Sequence, residues 1–191
     1  MTTERFAAPW SARLSVATPI GIVVLLGLPF AIAFVPTNGQ AAPTLLVVMI
    51  AVIDLAVIAT AALFLIRGYR LDGDGLHVER LLWADRIPLI ALRRAWPDPK
   101  ATARSLRLFG NSGFFCIAGL FSNRTLGRYR AFATDPTRAV VLQIGARTVV
   151  VTPDEPLRFL AAVERLAPQA EVSKTSPGTS PASGARRGAD A

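Results

Sequence analysis

Enzyme chemistry needs reactive groups held close together, and this 191-residue chain offers few of them: one histidine, His77, and one cysteine, Cys116. A single cysteine forms no internal disulfide, and one histidine beside one cysteine supplies neither a multi-cysteine zinc site nor a His-based nucleophilic triad. The acids Asp72, Asp74, Asp85 and Asp98 fit turn formation and solvated surface better than general acid catalysis or metal ligation. Gly110, Gly113, Gly119 and Gly127 match neither G-x-x-x-x-G-K nor G-x-G-x-x-G, so a phosphate-cradling loop is not indicated. Their expected role is to permit bends while Phe114, Phe115, Leu120 and Phe121 pack in a core or turn toward a bilayer. Asn123-Arg124-Thr125 fits a glycosylation sequon, inert in a cytoplasmic loop. The expectation is a non-enzymatic protein with no cofactor and no metal.

Charge is the stronger lead. Lysines and arginines number 21 against 13 acids, a net +8, and residues 67–166 alone carry 16 against 9. Two basic groups stand out in sequence, Arg93, Arg94, Lys100, Arg104 and Arg107, then Arg124, Arg128 and Arg130. Near an anionic membrane surface each such residue contributes about 1 kcal/mol, so these eight are candidate contacts for lipid or for a protein partner. Nucleic acid is the other anionic partner such charge would suit, but no helix-turn-helix or RNA-binding signature accompanies it.

The elements that must position these residues begin with two apolar runs, residues 14–35 and 44–66, of 22 and 23 residues. As helices each spans roughly 33 Å, enough for the hydrocarbon core of a bilayer. Neither run shows a polar face at helical spacing, and the first is longer than a signal-peptide core and is followed by a second. Arg5 and Arg13 precede the pair and Arg67 and Arg70 follow it, whereas the connector at 36–43 is uncharged, so both termini are expected in the cytoplasm. The chain is thus expected to be a multi-pass membrane protein, with residues 1–13 as a cytoplasmic N-terminal segment. Pro19, Gly21, Gly27 and Pro29 predict a bend in the first helix. Asp54 lies inside the second, where a carboxylate costs about 2.5–3.5 kcal/mol to insert, so it is expected to meet a partner group or another copy of the chain. Ala56, Ala59, Thr60 and Ala62 offer a small-residue side for close helix approach.

After Arg70 the pattern changes to short alternating segments. Asp72-Gly73-Asp74-Gly75 supplies a turn, after which Leu76, Val78 and Leu81 alternate with His77, Glu79 and Arg80. Further strands are predicted at 83–87, 90–96, 105–109, 128–134 and 139–144, the last paired with 147–151 across Gly145-Ala146. Asp154 as N-cap, Glu155 and Pro156 open a final helix, with Leu157, Leu160, Ala161, Val163 and Leu166 along its apolar side and Phe159 nearby. Residues 167–191 are Ser-, Pro-, Gly- and Ala-rich and are expected to be a disordered tail.

Strands closed by one amphipathic helix describe a capped β-barrel, and here a resemblance becomes specific. Tyr69-Arg70-Leu71-Asp72-Gly73-Asp74-Gly75-Leu76, Ile87-Pro88-Leu89, Arg107-Leu108-Phe109-Gly110 through Phe115, Gly119-Leu120-Phe121, Leu126-Gly127-Arg128-Tyr129, Ala131-Phe132-Ala133-Thr134 and Val149-Val150-Val151-Thr152-Pro153-Asp154 with Phe159 resemble the bacterial pleckstrin-homology-like (PH-like) domains often found behind transmembrane helices. The resemblance covers roughly Tyr69 to Leu166, within a domain placed at residues 67–166. It implies a membrane α-helical hairpin plus an α+β cytoplasmic domain, a PH-like β-barrel with a C-terminal helix, and no catalytic pattern. Function is then expected to be binding or scaffolding at the inner face of the membrane. The other reading is a subunit or assembly factor that joins a larger membrane complex, or another copy of itself, through its hairpin.

Overall fold

The computed structural model of the chain describes residues 3–34, 43–112 and 115–176. The connector at 35–42, Gly113, Phe114 and the tail from 177 lie outside the described residues.

The two apolar runs form α1 (Ala12–Phe34) and α2 (Thr44–Leu63), packed against each other. Both are long and apolar enough to cross a membrane, and most of their side chains are exposed. α1 runs through Pro19 and Pro29 as one helix. On α2 the inward stripe is Val47, Ala51, Asp54, Ile58 and Ala61, at the spacing of a helix–helix seam, while of the four small residues Ala62 is half-buried and Ala56, Ala59 and Thr60 are exposed. The close-packing side therefore lies on a different face from the one the small residues suggested.

The second run was expected to stay helical to residue 66, but α2 stops at Leu63 and Phe64 caps it. Ile66 already belongs to a strand, β2 (Ile66–Asp72). Its partners are β3 (Gly75–Arg80) on one side and β1 (Glu4–Ala7) on the other, with β4 (Ala84–Ile87) beyond β3. β1 was not foreseen: the residues expected to be a free N-terminal segment pair antiparallel with β2, Glu4 opposite Leu71 and Ala7 opposite Gly68. Phe6 is buried, its ring edge-on to Phe159 at 5.2 Å.

A second sheet contains β5 (Leu92–Pro97), β6 (Leu106–Ser112), β7 (Ile117–Asn123), β8 (Gly127–Ala133), β9 (Val140–Ile144), β10 (Arg147–Val151) and β11 (Glu171–Val172). Its order is β11-β5-β9-β10-β8-β7-β6. The β9–β10 hairpin turns at Gly145, as expected, with Ile144 opposite Arg147 and φ 57° at the glycine. Glu171 and Val172 pair with Arg94 and Ala95, so the domain continues past the point where a disordered tail was expected.

Among the described residues these strands form two sheets and not a closed barrel. The edge strands of the short sheet, β1 and β4, pair with neither edge of the longer one, β11 and β6. The two sheets are held instead by packing and by a buried polar knot. The Tyr69 hydroxyl on β2 donates to the Phe132 carbonyl on β8 at 2.6 Å and accepts from the Thr152 N–H at 3.1 Å. The Thr152 hydroxyl oxygen in turn accepts from the Thr134 N–H at 2.9 Å. Burial pushes the Tyr69 phenol up to about 12, against the lowering effect of its Thr152 hydrogen bonds.

The final helix, α3 (Pro156–Leu166), covers the core with Phe159, Leu160, Ala162 and Val163. Leu157 and Leu166 are exposed, so its buried face is rotated from the predicted stripe. Glu155, not Asp154, occupies the N-cap, and no side chain caps the helix there. Arg158 and Arg165 of α3 reach Glu4, tying β1 down from above.

Candidate functional site

Strand β3 sets up the site. Its alternation places Leu76, Val78 and Arg80 on one buried face, whereas sequence reading put Arg80 with the outward set and Leu81 inward; Leu81 is exposed. An arginine on an inward face must find partners, because an unpaired buried charge is costly. Arg80 finds them from three directions. Its Nε donates to Asp85 Oδ2 at 2.7 Å, its Nη1 donates to the Phe64 carbonyl at 2.8 Å, and its guanidinium lies 5.4–5.8 Å from the ring centres of Phe64, Trp83 and Phe132. A cation at the carbonyl end of α2 also matches the helix dipole.

Cys116 reaches the same carbonyl, its Sγ donating to Phe64 at 3.1 Å. Burial pushes this thiol up to about 11, against a downward pull from the Arg80 charge. One residue earlier, the Phe115 N–H donates to the Thr18 hydroxyl of α1 at 3.3 Å. The turn between β6 and β7 thus touches the bases of both helices. Tryptophans stand at the same level: Trp10 precedes α1 and lies 6.2 Å from Phe115, and Trp83 lies 5.7 Å from Phe64.

Between this junction and the sheet opens a cleft of about 670 Å³, within the usual range of small-molecule sites. Leu25, Val57, Ile58 and Thr60 form its helical wall. Phe109, Leu120 and Arg130 line the sheet side, and at its floor Gly110 stands directly opposite Gly119. These two glycines have φ 111° and 147°, and a Cβ on Gly119 would sit 2.2 Å from the Phe109 carbonyl oxygen. Their role is close strand approach beneath an open space. Arg130 guards the cleft, its guanidinium 4.7 Å from the Phe132 ring centre and 3.8 Å from Asp85 Oδ1.

The expected basic groups are redistributed. Arg93 and Arg94 lie on β5, with Arg94 paired to Glu171 at 3.1 Å. Arg107 lies five strand positions away on β6, roughly 24 Å across the sheet. The loop carrying Lys100 and Arg104 is instead drawn to the end of β7, where Asn123 Nδ2 donates to the Ala101 carbonyl at 2.7 Å and to Ser105, beside Arg124. Arg128 and Arg130 share one face of β8, while Arg107 pairs with Phe121 on the other face of that sheet. Asn123, the sequon residue, builds the β7–β8 turn, its Oδ1 accepting from the Leu126 N–H at 2.7 Å.

Apart from Asp54, the remaining candidates have structural partners. His77 Nε2 lies 3.1 Å from Asp72 Oδ1. Burial alone would raise the Asp72 carboxyl, but the Asp74 N–H and the neighbouring His77 and Arg70 outweigh it and hold it below the usual range. Asp74 pairs with Arg86 at 3.3 Å, and Asp98 Oδ1 accepts from the Lys100 N–H at 2.9 Å. Of the apolar residues among the glycines, Phe121 is buried and stacks on Tyr129 at 5.9 Å, while Leu120 faces the cleft. Asp54 is buried in the helical hairpin, and its Oδ2 has no hydrogen-bond partner.

A sheet-rich domain closed by one amphipathic helix behind two apolar helices defines a class, and the sequence comparison agrees with it. The family model described as "Bacterial PH domain" matches residues 67–167, and the chain belongs to that family. No curated protein and no solved structure matches the chain.

Proposed function

We propose that this protein is a non-enzymatic, membrane-anchored PH-like module that binds or scaffolds partners at the cytoplasmic face of a bacterial inner membrane. The observation that carries this reading is the pairing of β1 with β2, which roots both ends of the helical hairpin in one sheet. A hairpin rooted in that way leaves and returns on the same side of anything it crosses. The bare apolar surfaces of α1 and α2 then suit lipid, Trp10 and Trp83 suit the interface, and the charge flanking the helices suits a cytoplasmic domain. A PH-like fold supports binding rather than catalysis, and tethering allows weak contacts to suffice.

The test is alkaline carbonate extraction of native membranes, with reporters fused after residue 39 and after residue 191. Retention in the membrane with only the residue-191 reporter active in the cytoplasm is the expected outcome. Release by carbonate, or an exported C-terminal reporter, overturns the proposal.

A second reading has its own observation. Ala56, Ala59 and Thr60 are exposed small residues on α2, and such a side lets a helix of another membrane subunit approach closely. In co-purification, Ala59→Leu should release the partner under this reading and leave it bound under the first. Arg93→Glu with Arg94→Glu should do the reverse.

A further inference from the structure

We infer that the cleft between α2 and the β6–β7–β8 surface is a site for one anionic phospholipid, with an acyl chain against the helical wall and the phosphate at Arg130. This inference rests on the proposed membrane anchoring and names a ligand for it.

The shape argues for a chain-bearing ligand. From Phe64 at its base to Val57, the cleft follows α2 for roughly 10 Å, about a third of a hydrocarbon core. Its helical wall merges with the exposed apolar faces of α1 and α2, so a lipid can enter sideways from the bilayer without crossing water. The opposite wall is apolar too: Phe109 is 80% exposed, and Leu106 and Leu108 beside it on the edge strand β6 are also uncovered. Gly110 and Gly119 line the floor, where the two strands approach too closely to leave room for a Cβ on either.

Charge argues for an anionic head. Arg80 and Arg130 share one carboxylate, Asp85, leaving a net positive charge at the mouth. Arg80 is spent on Asp85 and on the Phe64 carbonyl. Arg130 is not: its side chain is 58% exposed and Asp85 stands 3.8 Å away, beyond the length of a strong charge-assisted hydrogen bond. A planar guanidinium with unfilled donors, stacked on Phe132 above an apolar slot, presents the fork that phosphate oxygens accept. Arg128 on the same face of β8 adds to the positive field.

The test uses the full chain in nanodiscs containing equal phosphatidylglycerol and phosphatidylcholine of matched acyl length. Lipid retained after gentle release is counted and identified by native mass spectrometry. One phosphatidylglycerol per chain is expected. Arg130→Ala should weaken its retention about tenfold, Arg130→Lys should restore part of it, and Leu120→Trp should block the slot without altering charge. Equal retention of the two lipids, indifference to both Arg130→Ala and Leu120→Trp, or recovery of a free fatty acid instead overturns the site. Carbonate extraction of the same variants separates the two proposals. A chain washed from the membrane sinks the anchor, whereas a carbonate-resistant chain with no lipid preference sinks the lipid site alone.

Discussion

The Arg80 guanidinium donates to the Phe64 carbonyl at 2.8 Å, joining the inner face of a β-strand to the last turn of an apolar helix. The same guanidinium holds Asp85, so one side chain couples the hairpin to the domain. Replacing it by methionine should leave the Phe64 carbonyl without its guanidinium donor and Asp85 without its main counter-ion. The expected cost is roughly 3 kcal/mol, read as a lowered unfolding midpoint of the detergent-solubilised chain by tryptophan fluorescence. A change within about 0.5 kcal/mol would remove the coupling role.

Tyr69 should make the domain sensitive to alkali. In the unfolded chain its phenol ionises near 10, but in the fold it keeps its proton until about 12. The folded state therefore binds the proton more tightly, and stability falls as pH rises from 10 to 12, by about 2–3 kcal/mol in all. Tyr69→Phe should cost about 1–3 kcal/mol at neutral pH through the unsatisfied Thr152 N–H, and should flatten that alkaline decline. Denaturant titrations at pH 8 and pH 11 on both proteins check the two effects together.

Cys116 should resist alkylation in the folded protein. Its thiol is buried and pushed up to about 11, so the reactive thiolate is scarce at pH 8. Iodoacetamide should label it at least tenfold more slowly in the native chain than in denaturant. Comparable rates would show that the junction with α2 is open.

Gly119→Ala should damage the floor of the cleft. The new methyl would meet the Phe109 carbonyl oxygen at 2.2 Å while the backbone sits at φ 147°, and strain of this kind costs of order 1–3 kcal/mol. Gly127→Ala provides the comparison, because its Cβ would meet open space at φ 66°. The cleft variant should therefore melt at the lower temperature.

Much of this architecture is written in local pattern. Uninterrupted apolar runs marked both helices, and alternation around Gly145 marked the β9–β10 hairpin, because those signals need no distant partner. Other parts depend on partners far along the chain. Four residues, Glu4–Ala7, carry no strand signal of their own and become β1 only when β2 arrives. Ile66 reads as the end of a helix because the apolar run does not pause where the helix stops. β7 has Gly119 in its interior, which in sequence reads as a bend and in the fold allows close approach to β6. Arg80 was the legible signal that went unread: Leu76, Val78 and Arg80 share one parity, and a charge on the apolar parity of a strand announces a buried pair. The cleft itself had no such signal, since its walls come from six separate elements.

The seating of β1 against β2 carries a consequence for biosynthesis. The first strand leaves the ribosome some sixty residues before its neighbour exists, so it must wait, unpaired, until both helices have been made. On the proposed membrane anchoring, a second helix that fails to turn back leaves the two strands on opposite sides, and the sheet never gains its edge. On that reading, completion of the domain requires the hairpin to have returned, and a half-inserted hairpin would leave Phe6 without the core into which it packs.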